Sequence, residues 1–172
     1  MTSYKERLNN ISTFIFDIDG VLTDGTVFPY QGDLLRGLNS KDGYAIQYAV
    51  KKGYKVFIIT GGNSEPIKNS LLHLGVSEVH LRSSDKVAVY KQLKENHRFQ
   101  DEEVLYMGDD LPDYQVMRVA GMAACPQDAV IEIKHISHYQ SPYSGGKGCA
   151  RDVIEQTLRV QDNWFHREAF VW

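Results

Sequence analysis

At 172 residues, 42% of them hydrophobic, the chain has the length of one domain and enough apolar side chains to bury a substantial core. A formal net charge of −3 and the absence of a basic patch with interleaved aromatics argue against a nucleic-acid or membrane-surface partner, and no apolar run approaches the ~18 residues of a membrane span. Residues 1–10 are polar and lack the apolar core of a signal peptide, so the cytoplasm is the expected compartment; Cys125 and Cys149 are too few for a disulfide framework and read as reduced, structural thiols.

In chain order, residues 13–18 form an apolar run that reads as a buried strand, ending in Asp17-Ile-Asp19-Gly20. Residues 21–38, with Tyr30-Gln-Gly32-Asp at their middle, read as a β-hairpin projecting from the sheet edge. A helix is expected over 43–52 from the stripe Ala45, Ile46, Ala49 and Val50. A second buried strand over 55–60 is stopped by Gly61-Gly62. Ser64 then caps a helix to residue 74, with Pro66 in its first turn. A short strand at 79–81 precedes a helix over 85–96 with Ser84 as its expected cap. The run 104–107, closed by Gly108, is another strand; 112–119 is a short helix and 121–124 a further strand. The last helix, 150–160, places Val153, Ile154, Thr157 and Leu158 on one face. The aromatic tail 163–172, with Trp164, Phe165, Phe170 and Trp172, should pack on this subunit or on a neighbour. His135 and His138 are spaced as a metal pair, but a solvated face explains them better. Strands alternating with helices predict one α/β unit over 1–172: a Rossmann-like parallel sheet flanked by helices, with a projecting hairpin and no cap domain.

That topology brings Asp17/Asp19, Thr60, Lys86 and Asp109/Asp110 with Asp113 to one sheet edge, where open α/β sheets bind ligands. Phosphomonoester hydrolysis needs a nucleophile, a proton donor, a divalent metal and cations for the phosphoryl oxygens. Asp17 can attack phosphorus and form an aspartyl-phosphate, and Asp19 can protonate the leaving oxygen and then activate water. Asp109 can complete an oxygen-rich Mg²⁺ site with Asp17 and the Asp19 carbonyl, with Asp110 and Asp113 behind it. Thr60, the amides of Gly61 and Gly62, and Lys86 can hold the phosphate. The carboxylates outnumber the cations, so Arg36, Lys41, Arg82 and Lys147 are candidates for binding an acidic substrate.

Asp17-x-Asp19, Thr60, Lys86 and Gly108-Asp109-Asp110-x-x-Asp113 match in order the motifs of the haloacid dehalogenase superfamily of aspartate-nucleophile phosphatases, which the chain resembles. Asp19-Gly-Val-Leu-Thr-Asp24-Gly, Lys41-Asp42-Gly43-Tyr44 and Gly145-Gly-Lys-Gly148 extend the resemblance, over residues 11–160, to its 3-deoxy-D-manno-octulosonate 8-phosphate phosphatase branch. The resemblance implies a Mg²⁺-dependent homotetramer that releases phosphate from a sugar acid used in lipopolysaccharide synthesis. It also implies an active site completed by a neighbouring subunit, since neither gap between motifs has room for a cap. Gly62 stands where this branch often carries arginine, which keeps a phosphatase for nine-carbon sialic-type keto acid 9-phosphates as the nearest rival. A phospho-accepting receiver domain fits less well, because there the acidic pair comes first and the lysine last. A non-catalytic interaction module is the remaining alternative, although no motif carboxylate is missing.

Overall fold

The structure is a computed structural model and describes residues 3–30 and 33–172. Its centre is a six-stranded parallel sheet in the order β5-β4-β1-β6-β7-β8. These strands are β1 (Thr13–Phe16), β4 (Lys55–Ile59), β5 (Glu78–His80), β6 (Val104–Met107), β7 (Met122–Cys125) and β8 (Tyr139–Gln140). Strand β1 lies between β4 and β6, with Phe16 opposite both Ile58 and Met107. Both faces of the sheet are covered, which is why these strands read as unbroken apolar runs. The side chains alternate between two cores. Phe14, Phe16, Val56, Ile58 and Met107 face α2 (Ser40–Lys51) and α7 (Cys149–Val160). Ile15, Phe57, Ile59 and Tyr106 face α4 (Lys86–His97), α5 (Tyr114–Met117) and α6 (Ile131–Ile136).

From β1 the chain builds β4 and β5 on one side, then returns to build β6 on the other. The crevice at the C-terminal ends of β1, β4 and β6 is therefore the topological switch point of the sheet. Only a single helix, α3 (Glu65–His73), separates β4 from β5, and only the hairpin and α2 separate the β1 loop from β4. The hairpin is shorter than expected: β2 (Phe28–Tyr30) pairs antiparallel with β3 (Asp33–Leu35), whereas Val21, Leu22 and Thr23 are buried in the loop after β1. Of its expected turn, Gln31 and Gly32 lie outside the described residues. Phe28, Tyr30 and Leu35 are 61%, 56% and 47% exposed, a large apolar surface for two short strands.

Other local readings need correction. Ser64 occupies the N-cap of α3 but its side chain makes no capping bond. Asp85, not Ser84, caps α4, its carboxylate accepting from the Ala88 N–H at 2.9 Å. The helix expected over 112–119 divides into a 3₁₀ turn, Leu111–Asp113, and α5. Helices α1 (Tyr4–Arg7) and α6, and strand β8, have no counterpart in the sequence reading. His138 Nδ1 accepts the Ala123 N–H at 2.9 Å, so it is engaged with the backbone. Both cysteines are free and buried.

The tail lies along α2 of its own subunit. Trp164 meets Tyr48 edge-on with ring centroids 5.2 Å apart, Trp172 stacks on Tyr44 at 5.4 Å, and the Tyr44 hydroxyl donates to the Ala169 carbonyl. Phe165 and Phe170 remain exposed. The stripe of α7 is buried as expected, and its N-terminus is closed from α2: the buried Asp42 carboxylate accepts from Gly148 N at 3.2 Å and Arg151 N at 2.7 Å.

Candidate active site

Beyond β1 the backbone leaves the ladder at Asp17, whose carboxylate accepts the Ile18 N–H at 2.7 Å. The next turn needs Gly20 twice over. Its φ is +88°, and a Cβ there would stand 2.0 Å from an Asp109 carboxylate oxygen. Asp109 follows β6, and Gly108 before it is required because a Cβ would meet Asp113 at 2.4 Å. Tight glycines thus draw the acidic loops after β1 and β6 together. The late glycine run serves the same loop by packing. A Cβ on Gly145 would fall 2.0 Å from the Gly20 carbonyl oxygen, and one on Gly146 2.6 Å from Asp24 N.

Lys86, at the start of α4, is buried and bridges Asp17 (Nζ to Oδ2, 2.9 Å) and Asp113 (Nζ to Oδ1, 2.7 Å). Burial opposes its charge, but the two carboxylates outweigh it and its pKa is raised. Asp113 Oδ1 also accepts the Tyr106 hydroxyl at 2.7 Å, while Oδ2 accepts the Asp109 N–H at 3.3 Å. Tyr106 was read only as a strand residue; its hydroxyl, buried between acids, is a site group that an apolar-run pattern does not reveal.

Burial and then the neighbouring Asp113 push the Asp17 carboxyl up to about 6 against the pull of Lys86. Burial, then Asp17, Asp113 and Asp110, push Asp109 up to about 7. Asp17, Asp109 and Asp113 each offer an oxygen within 4.8 Å of the others. Asp109 Oδ1 is buried with no hydrogen-bond partner. An orphaned carboxylate oxygen among crowded anions, with hard oxygen donors throughout, fits a bound divalent cation such as Mg²⁺.

These acids, with Thr60, Gly61, Gly62 and Lys86, line a cavity of about 210 Å³. Thr60 is buried and its hydroxyl accepts the Gly62 N–H at 3.1 Å, so this amide is already engaged. Asp110 is exposed at the rim and caps Leu111 N at 2.7 Å. Asp19 is held by Arg36 through Nε–Oδ1 at 2.6 Å and Nη2–Oδ2 at 3.0 Å, with the Thr23 hydroxyl 3.3 Å away. None of the four expected cations lines this cavity, and Arg36 meets it only by holding Asp19. Arg82 is exposed, with φ +53° and its N–H donating to the Gly62 carbonyl. Lys41 and Lys147 line a separate groove beside α7, and Lys147 lies 3.5 Å from Asp24.

No family model matches the chain. Individual relatives do. A 3-deoxy-D-manno-octulosonate 8-phosphate phosphatase of Yersinia pestis is 34% identical over 158 residues, 91% of this chain and 84% of the relative. The chain belongs to this phosphatase family. The Escherichia coli member is 32% identical over 90% of the chain and 83% of its own length. The Y. pestis crystal structure superposes with a TM-score of 0.90, covering 92% of this chain and 86% of that one. The Moraxella catarrhalis member, solved with a magnesium ion, a phosphate ion and KDO bound, gives 0.90 at 28% identity, covering 97% and 95%. Membership makes the chain a phosphatase of the haloacid dehalogenase type and disposes of the receiver-domain and non-catalytic readings.

Proposed function

We propose that the chain hydrolyses 3-deoxy-D-manno-octulosonate 8-phosphate in lipopolysaccharide sugar synthesis, with Mg²⁺ and an aspartyl-phosphate on Asp17. The carrying observation is the buried Asp17 carboxylate, oriented by Lys86 at the floor of the cavity, in a chain of this family. Asp17, Asp109 and the Asp19 carbonyl would hold Mg²⁺, which when bound offsets the crowded negative charge and polarises the phosphoryl oxygens. An Asp17 oxygen forms the new O–P bond as the ester P–O bond breaks, its electron pair leaving on the sugar oxygen. Asp19 gives that oxygen its proton. Asp19 then takes a proton from water, which attacks the acyl-phosphate and restores the Asp17 carboxylate with release of phosphate. Thr60 and the Gly61 amide face the phosphoryl group, and Asp113 holds Lys86 and the Asp109 backbone in register.

A panel of phosphorylated eight- and nine-carbon keto acids compared by kcat/KM tests the substrate. The eight-carbon acid should lead, and a clear lead for a nine-carbon acid would move the assignment to the sialic-type rival that Gly62 keeps open. Replacing Asp19 with asparagine should lower kcat about 10²–10⁴-fold, the usual scale for a proton-transfer group. Because Asp19 is assigned to the metal only through its carbonyl, this variant should keep Mg²⁺ affinity better than Asp109→Asn. Equal losses in Mg²⁺ titrations of both variants would show the division of roles to be wrong.

The exposed apolar hairpin supports self-association, with the family resemblance pointing to a tetramer; sedimentation at working concentration decides it. No helix among the described residues is long and apolar enough to cross a membrane; a cytoplasmic enzyme is what the proposed biosynthetic substrate implies.

A further inference from the structure

Arg36 leaves the hairpin just after β3 and buries its side chain, at 5% exposure, against the catalytic crevice. Its Nε and Nη2 form a two-pronged pair with Asp19, and Nη1 donates to the Leu34 carbonyl at 3.0 Å. A guanidinium carries five N–H donors. Two of them, one on each terminal nitrogen, have no partner among the described residues. A buried, pre-oriented fork with spare donors is the geometry that recognises a carboxylate bidentately.

The space around the fork comes from Gly62. A Cβ at that position would sit 3.0 Å from Asp19 Oδ2, 3.4 Å from Arg36 Nη2 and 3.4 Å from Thr60 Oγ1. Bare backbone at position 62 therefore lets a cation from the hairpin stand beside the phosphate-binding threonine. Lys86 spends two of its three N–H donors on Asp17 and Asp113, and the third, turned to the phosphoryl group, leaves none for the substrate's carboxylate. Arg36 does not itself line the cavity but holds Asp19, which does, whereas among the described residues the side chains of Lys41, Arg82 and Lys147 bond no lining residue.

We propose that Arg36 is the specificity-determining residue of this phosphatase: the N–H donors it does not spend on Asp19 and Leu34 bind the substrate's carboxylate beside Gly62. This rests on the reading of the substrate as an acidic sugar phosphate. The hairpin thereby supplies the charge that separates a sugar-acid ester from a neutral one, while the phosphoryl group is handled by Asp17, Thr60 and Lys86.

The test measures KM and kcat for 3-deoxy-D-manno-octulosonate 8-phosphate and p-nitrophenyl phosphate in the wild type, Arg36→Gln, Arg36→Lys and Gly62→Ala. Losing charge-assisted hydrogen bonds should raise KM for the sugar acid about 10- to 100-fold more than for the neutral ester in Arg36→Gln. Arg36→Lys, which keeps the charge without the fork, should fall between. Gly62→Ala, which crowds Asp19 Oδ2 and through it the fork without removing charge, should shift the same ratio in the same direction. Inhibition by the dephosphorylated sugar acid should weaken in Arg36→Gln relative to inhibition by inorganic phosphate, a binding readout independent of turnover. A wild type with no preference for the acidic ester would overturn both the substrate reading and this inference. A preference that survives in Arg36→Gln would overturn the inference alone.

Discussion

Asp17→Asn should reduce turnover by roughly 10⁶-fold, the scale seen when a covalent nucleophile is removed. Asparagine keeps the shape and still accepts the Ile18 N–H, but it has no anionic oxygen to form the bond to phosphorus. The fold should survive. The Asp17 carboxyl is pushed up to about 6 by burial and by Asp113, so ionising it at pH 8 costs the folded state about 3 kcal/mol relative to the unfolded chain. A neutral amide avoids that cost, so without Mg²⁺ the variant's Tm at pH 8 should equal or exceed that of the wild type. Calorimetry beside single-turnover kinetics measures both effects. A loss of only 10²–10⁴-fold would place Asp17 among the proton-transfer groups and remove it from the nucleophile's role.

Lys86→Met should be the most destabilising of the site substitutions. Removing one member of a buried ion pair commonly costs about 3–5 kcal/mol, and here a single ammonium serves two carboxylates. Asp17 and Asp109 titrate above their unfolded value of 3.8. Their contribution to stability is therefore complete below that value and lost as the pH rises through about 6 and about 7. Lys86 opposes both upward shifts, so its removal should deepen the loss at pH 8 and matter little near pH 4. Mg²⁺ should recover part of the deficit at pH 8, and a chelator should lower the wild-type Tm far more at pH 8 than at pH 5. A deficit independent of pH would mean that Lys86 acts through packing and not as the counter-charge of the acidic cluster.

The central sheet was legible because Phe14, Ile15, Phe57, Ile58, Leu105 and Tyr106 are apolar on both faces and flanked by glycine stops. The catalytic groups were legible because each lies one to three residues past such a strand or opens the following helix. Strand β8 was not, since two residues paired to Ala124 and Cys125 carry no periodic signal. The cap of α4 was misplaced by one residue because Ser84 and Asp85 are both competent caps, and only the carboxylate reaches Ala88. Among the cations, sequence supplies charge but not reach. Arg36 is brought by the hairpin to Asp19 at the edge of the crevice, whereas Arg82 is turned outward by a left-handed backbone and Lys41 and Lys147 border another groove. The glycines around Lys147 carry a motif of the family, but a pattern alone cannot distinguish a backbone that meets a ligand from one that meets another backbone.

That backbone contact has a consequence for biosynthesis. The turn that carries Gly20 into the Asp109 carboxylate is braced from behind by Gly145 and Gly146, and the helix that follows them is pinned by Asp42. On the ribosome, every catalytic carboxylate emerges before the residues that complete this brace. The nascent enzyme is therefore expected to stay silent towards cellular phosphate esters until α7 is out of the exit tunnel and can dock, so that translation itself sets when the active site is assembled.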